Sequence, residues 1–329
     1  MRFHWIRNSL PLALALTTAA ADQVSFAIVE KIAGAVGFYT SDGKRVSGVP
    51  VGTHPHEGIL SPDGRYLYVT DNGILWMTNP GAGGNTISII DVKGRSKAGV
   101  IDLGEYRRPH GIDYHARTGR MLVTIENPAG ILLIDPAARK VLRKYDVQGK
   151  APHMVLFSPR GDYALVSNTG SSALAAVHLE SGKVKLIPTP AGPQGGVFTA
   201  DGGTLYLTCN EGASIAIIDV RRLESAGVFA TGKGPARIAL TRDGRTLVYN
   251  LGEGGDAVAF ADVAARKQTA VVPIGGRPLS MTMSPDGKLA YLGIQDQDKV
   301  VVVSVADRKI LRTFQTPKGA GPDPVLPLP

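Results

Sequence analysis

The chain has 329 residues, a formal net charge of +8 and a single cysteine, Cys209. One thiol excludes an internal disulfide and a covalently attached c-type haem, which needs two. The basic residues are scattered, with no run longer than Arg107-Arg108 or Arg221-Arg222 and no interleaved aromatics, which argues against a nucleic-acid surface.

The first residues carry Arg2 and Arg7, residues 10–16 are apolar, and 17–21 run down to small residues ending in Ala19-Ala20-Ala21. This is the pattern of a secretory signal peptide cleaved near Ala21, and its apolar core is too short to span a bilayer. The expectation is a periplasmic or secreted domain over 22–329, monomeric and without a membrane span. Cys209 lies in the apolar run 205–209, where a buried structural thiol is expected.

After the leader, one phrase recurs. It opens with a proline, continues as an apolar strand and a Gly-containing turn, and adds three further strands. The opening prolines are Pro55, Pro109, Pro152, Pro193, Pro235, Pro278 and Pro322, at intervals of about 41–44 residues after a longer first one. Turns of one kind fall at matching offsets: Ser61-Pro62-Asp63-Gly64, Ser158-Pro159-Arg160-Gly161, Thr199-Ala200-Asp201-Gly202, Thr241-Arg242-Asp243-Gly244 and Ser284-Pro285-Asp286-Gly287. Asp-Gly between apolar runs signals a hairpin, because glycine takes the positive φ such turns need. Second strands are expected over 66–70, 121–125, 163–167, 205–209, 246–249 and 289–294, and third strands over 86–91, 131–135, 174–178, 214–219, 257–262 and 300–304.

Four strands in roughly 43 residues is the arithmetic of a propeller blade. Six whole repeats run from Pro55 to Gln315. Residues 24–30, 35–40 and 44–51 read as the second to fourth strands of a seventh blade, and 321–328 as its missing first strand. The fold class is therefore all-β, a seven-bladed propeller of four antiparallel strands per blade, closed by both chain ends.

The phrases 61–72 (SPDGRYLYVTDN) with 86–92 (TISIIDV), and 284–293 (SPDGKLAYLG), resemble the YVTN-type β-propeller repeat family of surface-layer-like and periplasmic proteins. The resemblance spans the mature chain. It implies the fold strongly and the function weakly, since such repeats also occur in lactonase-type propellers, in d1-haem-type domains and in plain binding proteins.

In a propeller the first strand of each blade lines the channel. The loop entering it and the loop after the second strand share one face. His56, His110 and His153 each follow an opening proline in three consecutive blades; later blades hold Gln194, Ala236, Leu279 and Asp323 in that slot. Three imidazoles with an open fourth position suit a divalent metal, Zn or Cu. Glu126, in the same blade as His110, is the best carboxylate partner, as fourth ligand or as base, which makes His110 and Glu126 the candidate catalytic pair. Glu57 is expected to point away from His56 along an alternating strand. Gln194, Glu211, Arg237, Glu253, Arg277 and Trp76 are candidate ligand-binding residues around the same mouth. The long first interval is an insertion over 72–85, and its Trp76 and Met77 are expected to cover the mouth, touch a partner or pack on the adjacent blade. Asp91, Asp135, Asp219 and Asp262 recur once per blade but read as turn formers.

Three functions remain open on these residues. One is binding of a small molecule or another exported protein through the histidine face, with or without a metal. The other is a metal-assisted lactonase or lyase. A scaffold without a small-molecule site is the third.

Overall fold

The computed structural model describes residues 23–329; the leader expected over 1–21 lies outside the described residues. The described chain forms seven four-stranded antiparallel sheets. Six are contiguous in sequence. Their inner strands are Pro55–Leu60, Arg107–His115, Pro152–Phe157, Pro193–Phe198, Pro235–Leu240 and Ser280–Met283, here the first to sixth blades. The closing blade pairs Pro322–Pro327 with Val24–Glu30, followed by Ala35–Thr40 and Arg45–Pro50. The C-terminal segment thus supplies the first strand of this blade, so that Val24–Glu30 is not left as an unpaired edge.

Residue choice explains the layers. Second and third strands are nearly continuous runs of buried β-branched and aliphatic residues, such as Ile87, Ile89 and Ile90 in Thr86–Asp91. They are buried on both faces because neighbouring blades stack on them: Tyr68, Ile87 and Ile89 of the first blade pack with Ile112, Met121 and Val123 of the second. Outer strands face water on one side and alternate, as in Lys267–Pro273. The blade-end aspartates do form turns, Asp91 Oδ1 accepting from Gly94 N at 2.6 Å and Asp262 Oδ1 from Ala265 N at 2.7 Å.

Two local features aim side chains into the channel. The first is a bulge immediately after the opening proline. Between the Pro55–Asp71 and Gly58–Val69 pairs the inner strand advances one residue more than its neighbour. The same shift occurs in the second to fifth blades. A bulge breaks strict alternation and re-aims consecutive side chains. Four of the five bulges are clipped by a polar side chain from the second strand that also reaches the next blade; in the third blade Ser167 Oγ only reaches across, donating to Gln194 O at 2.5 Å. Thr70 Oγ1 accepts from Glu57 N at 3.0 Å and donates to His110 O at 2.9 Å. Thr124 does the same for Gly111 N and His153 O, both at 2.8 Å. Thr208 joins Gly195 N at 3.1 Å to Ala236 O at 2.6 Å. Asn250 substitutes for the threonine, accepting from Arg237 N at 2.6 Å and donating to Pro278 O at 2.8 Å. The sixth blade has Gly293 instead, and a Cβ there would lie 2.5 Å from Pro322 O.

The second feature is a left-handed residue just before the opening proline. It is glycine at 192, 234 and 321 but His54, Arg108 and Ala151 in the three histidine-bearing blades, with φ of 43°, 56° and 51°. Residues with a Cβ hold that conformation at a cost of about 1–2 kcal/mol.

Candidate functional site

A cavity of about 390 Å³ opens at the histidine-bearing mouth of the channel. His56, His110 and His153 line it, together with Lys31, Gln194, Arg237, Glu253, Arg277 and Trp76. The imidazoles form a stack, His56 on His110 and His110 on His153, each pair with ring centroids 4.3 Å apart and the planes tilted by 50° and 59°. All three are buried, and burial holds each imidazole well below the usual histidine range, with neighbouring cationic groups adding to the effect. They are neutral at pH 7.

Each ring nitrogen environment is distinct. His56 donates Nε2–H to Ile74 O at 3.1 Å. His110 donates Nδ1–H to Glu126 Oε1 at 3.2 Å, which leaves the Nε2 lone pair without a partner among the described residues. Nδ1 of His153 is buried and has none either. Glu126 sits behind His110 and is itself held by Arg108 Nη1 at 3.3 Å on Oε2 and by Asn72 Nδ2 at 3.3 Å on Oε1. Burial raises its carboxyl above the usual range, opposed by Arg108 and Asn72.

The expected tri-imidazole metal site, His56, His110 and His153 with Glu126 as fourth ligand, is not preassembled. Among the described residues no group of three or more His, Cys, Asp or Glu side chains is placed to hold a metal ion. The rings lie tilted over one another at 4.3 Å instead of converging on one point, and the bonds to Ile74 O and Glu126 leave Nδ1 of His56 and Nε2 of His110 as their remaining donors.

The floor of the cavity is charged. Arg237 pairs across the channel with Glu57 of the first blade. Glu57 was expected to point away; the bulge turns it inward beside His56 instead. Lys31 Nζ lies 3.4 Å from Asp323 Oδ2, and both are buried. This ion pair joins the two ends of the chain within the closing blade. Burial lowers the Lys31 ammonium below its ordinary range, and Asp323 counteracts this.

At the rim Arg277 approaches Glu253 at 3.9 Å. Trp76 lies between two cations, Lys31 at 5.3 Å and Arg277 at 5.2 Å from the ring centroid. Trp76, Met77 and Thr78 therefore cover the mouth. Glu211 is exposed in the turn after Thr204–Cys209 and is not among the lining residues. Cys209 is buried, with burial pushing its thiol up to about 12, as suits an inert core residue.

Fold and mouth together define a seven-bladed propeller with one polar, imidazole-lined cavity over its channel. The chain belongs to the lactonase, 7-bladed beta-propeller family, whose model matches residues 138–326. No curated protein sequence matches it. Among solved structures it is similar to the Pseudomonas aeruginosa periplasmic gluconolactonase PpgL, with TM-score 0.75 and 17% identity over 93% of this chain and 99% of that one. A functionally unknown protein from Desulfotomaculum acetoxidans gives TM-score 0.76 and 14% identity, covering 92% and 99%. Kuenenia stuttgartiensis hydrazine synthase gives 0.68 and 16%, covering 80% and 86%. At these identities the likeness is one of fold.

Proposed function

We propose that the chain is a lactone hydrolase acting outside the cytoplasm, with His110 as general base and Glu126 as the residue that orients it. The observation that carries this reading is the His110–Glu126 hydrogen bond in a member of the lactonase propeller family. A carboxylate on Nδ1–H fixes the tautomer whose Nε2 takes a proton. In the reaction Nε2 accepts a proton from water as its oxygen adds to the lactone carbonyl. The ring C–O bond then breaks, and the departing alkoxide recovers the proton, giving a hydroxy acid. Glu126 favours the imidazolium that forms in between. Arg277 and Lys31, which line the same cavity, stabilise the developing negative charge.

A gluconolactone is the first substrate to test, since the similar Pseudomonas aeruginosa protein is a gluconolactonase. Opening of D-glucono-1,5-lactone and of a panel of other lactones should be accelerated over the spontaneous rate. His110→Gln should lower kcat/KM by about 10²–10⁴-fold. Equal acceleration by wild type and His110→Gln, or none on any lactone, refutes the catalytic reading. Binding without turnover is the second reading, favoured by the cations Lys31, Arg237 and Arg277 around the cavity. It predicts calorimetric binding of gluconate with no rate acceleration.

A further inference from the structure

The inserted loop 72–85 touches the site at more points than a cover requires. His56 bonds Ile74 O, and Asn72 Oδ1 accepts from Ile74 N at 3.2 Å. One guanidinium then ties the far side. Arg108 Nη1 donates to Met77 O at 3.3 Å, and Nη2 donates to Asn79 O at 3.0 Å and to Gly81 O at 2.7 Å. The same Nη1 donates to Glu126 Oε2, while the other oxygen of Glu126 receives His110 Nδ1–H. The path from loop backbone to imidazole is therefore continuous: carbonyls of 77, 79 and 81, Arg108, Glu126, His110.

Its geometry is held against a backbone cost. Arg108 occupies the left-handed slot that glycine fills in three other blades, at φ 56°. Glycine there would relieve the strain but carry no guanidinium. The loop's other anchor is Trp76, seated between Lys31 and Arg277 and still 36% exposed. A loop fixed at one end by a hydrogen-bond fork and at the other by cation–π contacts has two separable attachments.

We infer that Arg108 is a positioning residue through which the loop over the cavity sets the orientation of the His110 imidazole. The inference rests on the cavity being the reaction site, as proposed above, but its readouts are ring state and loop solvation, so its failure is distinct from a failure of lactone turnover. When the loop is seated, the fork holds Glu126 with one oxygen toward Nδ1 and keeps His110 in the Nδ1–H tautomer. When the loop lifts, Arg108 loses its three carbonyl acceptors, and Glu126 is no longer held in that orientation.

The test uses the full chain with ¹⁵N-labelled histidine, in a Trp5→Phe background where Trp76 is the single tryptophan. Imidazole ¹⁵N shifts at pH 7.5 report the His110 tautomer, and acrylamide quenching reports loop seating. Wild type should show a single Nδ1–H form. Arg108→Met should mix the tautomers and raise the quenching constant by about two- to threefold, as far as the remaining cover of Trp76 allows. Arg108→Lys, with one head for four acceptors, should fall between and serves if the Met variant does not fold. Trp76→Ala, which has no contact with His110, should also mix the tautomers. An unchanged His110 tautomer in Trp76→Ala, or in an Arg108 variant whose quenching has risen, overturns the coupling and leaves Arg108 as a loop anchor alone.

Discussion

Thr208→Val isolates the clip that joins neighbouring blades, at a position remote from the histidines. The substitution conserves shape and removes one hydroxyl from a fully buried site. Gly195 N–H then loses its acceptor and Ala236 C=O loses its donor. An abandoned buried donor costs about 1–3 kcal/mol and the lost O–H bond about 1. The added methyl group returns somewhat under 1 kcal/mol. The net is a destabilisation of roughly 1–3 kcal/mol, which for a domain of this length lowers Tm by about 2–5 °C. The assay is urea unfolding followed by far-UV circular dichroism, with thermal melts in parallel. Thr204→Val, on the same strand with a side chain that makes no hydrogen bond among the described residues, is the control and should change stability by less than about 0.5 kcal/mol. If Thr208→Val is indistinguishable from the control, the hydroxyl ring is not what ties the inner strands together.

Further outcomes follow from the same geometry. Deleting residues 321–329 removes the strand that pairs with Val24–Glu30 and should lower Tm by more than about 5 °C; an unchanged melt refutes closure by the tail. Gly293→Ala should destabilise, since its Cβ would meet the backbone oxygen of Pro322 at 2.5 Å, and an unaffected Tm would show that the closing strand yields freely. The buried histidines have folded-state pKa values below their unfolded value, so their contribution is present above about pH 6.5 and is lost as pH falls from there toward the folded values. His153→Asn should reduce the slope of stability against pH in that window by up to about 1.4 kcal/mol per unit, with the buried carboxyls Glu57 and Glu126 common to both proteins; equal slopes would mean that His153 is not held neutral. Elemental analysis of purified protein should find Zn and Cu well below one per chain, because the rings are stacked. A stoichiometric metal absent from the His56→Ala, His110→Ala, His153→Ala triple variant would require the rings to swing apart.

The ring of seven blades is legible because each blade repeats its own chemistry: an opening proline, a glycine turn, and β-branched strands buried on both faces. Even the shared blade shows in the sequence, as three strands without a first at one end and a first strand alone at the other. The histidine slot is legible for the same reason, and so is the His110–Glu126 pairing, since both residues occupy fixed places in one repeat. What alternation conceals is the bulge. Reading Pro55–Leu60 as a regular strand sends Glu57 outward, whereas the extra residue turns it toward Arg237. Lys31 and Asp323 meet only through ring closure, and nothing local marks Lys31, which follows Glu30 at the end of its strand, as a site residue. Arg108 did leave a signal: it replaces the glycine that precedes the opening proline at 192, 234 and 321. A large residue in a slot that favours glycine was the clue to the clamp.

The Lys31–Asp323 pair has a consequence for how the molecule is completed. Its partners lie 292 residues apart in sequence, so nearly the whole polypeptide must be arranged before they can meet, and contacts of that span form late in folding. The last stitch in the ring is therefore also part of the cavity wall. A chain cut short before Asp323 lacks both the edge strand and the carboxylate that pairs with Lys31, and losing one partner of a buried pair costs about 3–5 kcal/mol. Only a molecule with both segments in place has a complete cavity wall.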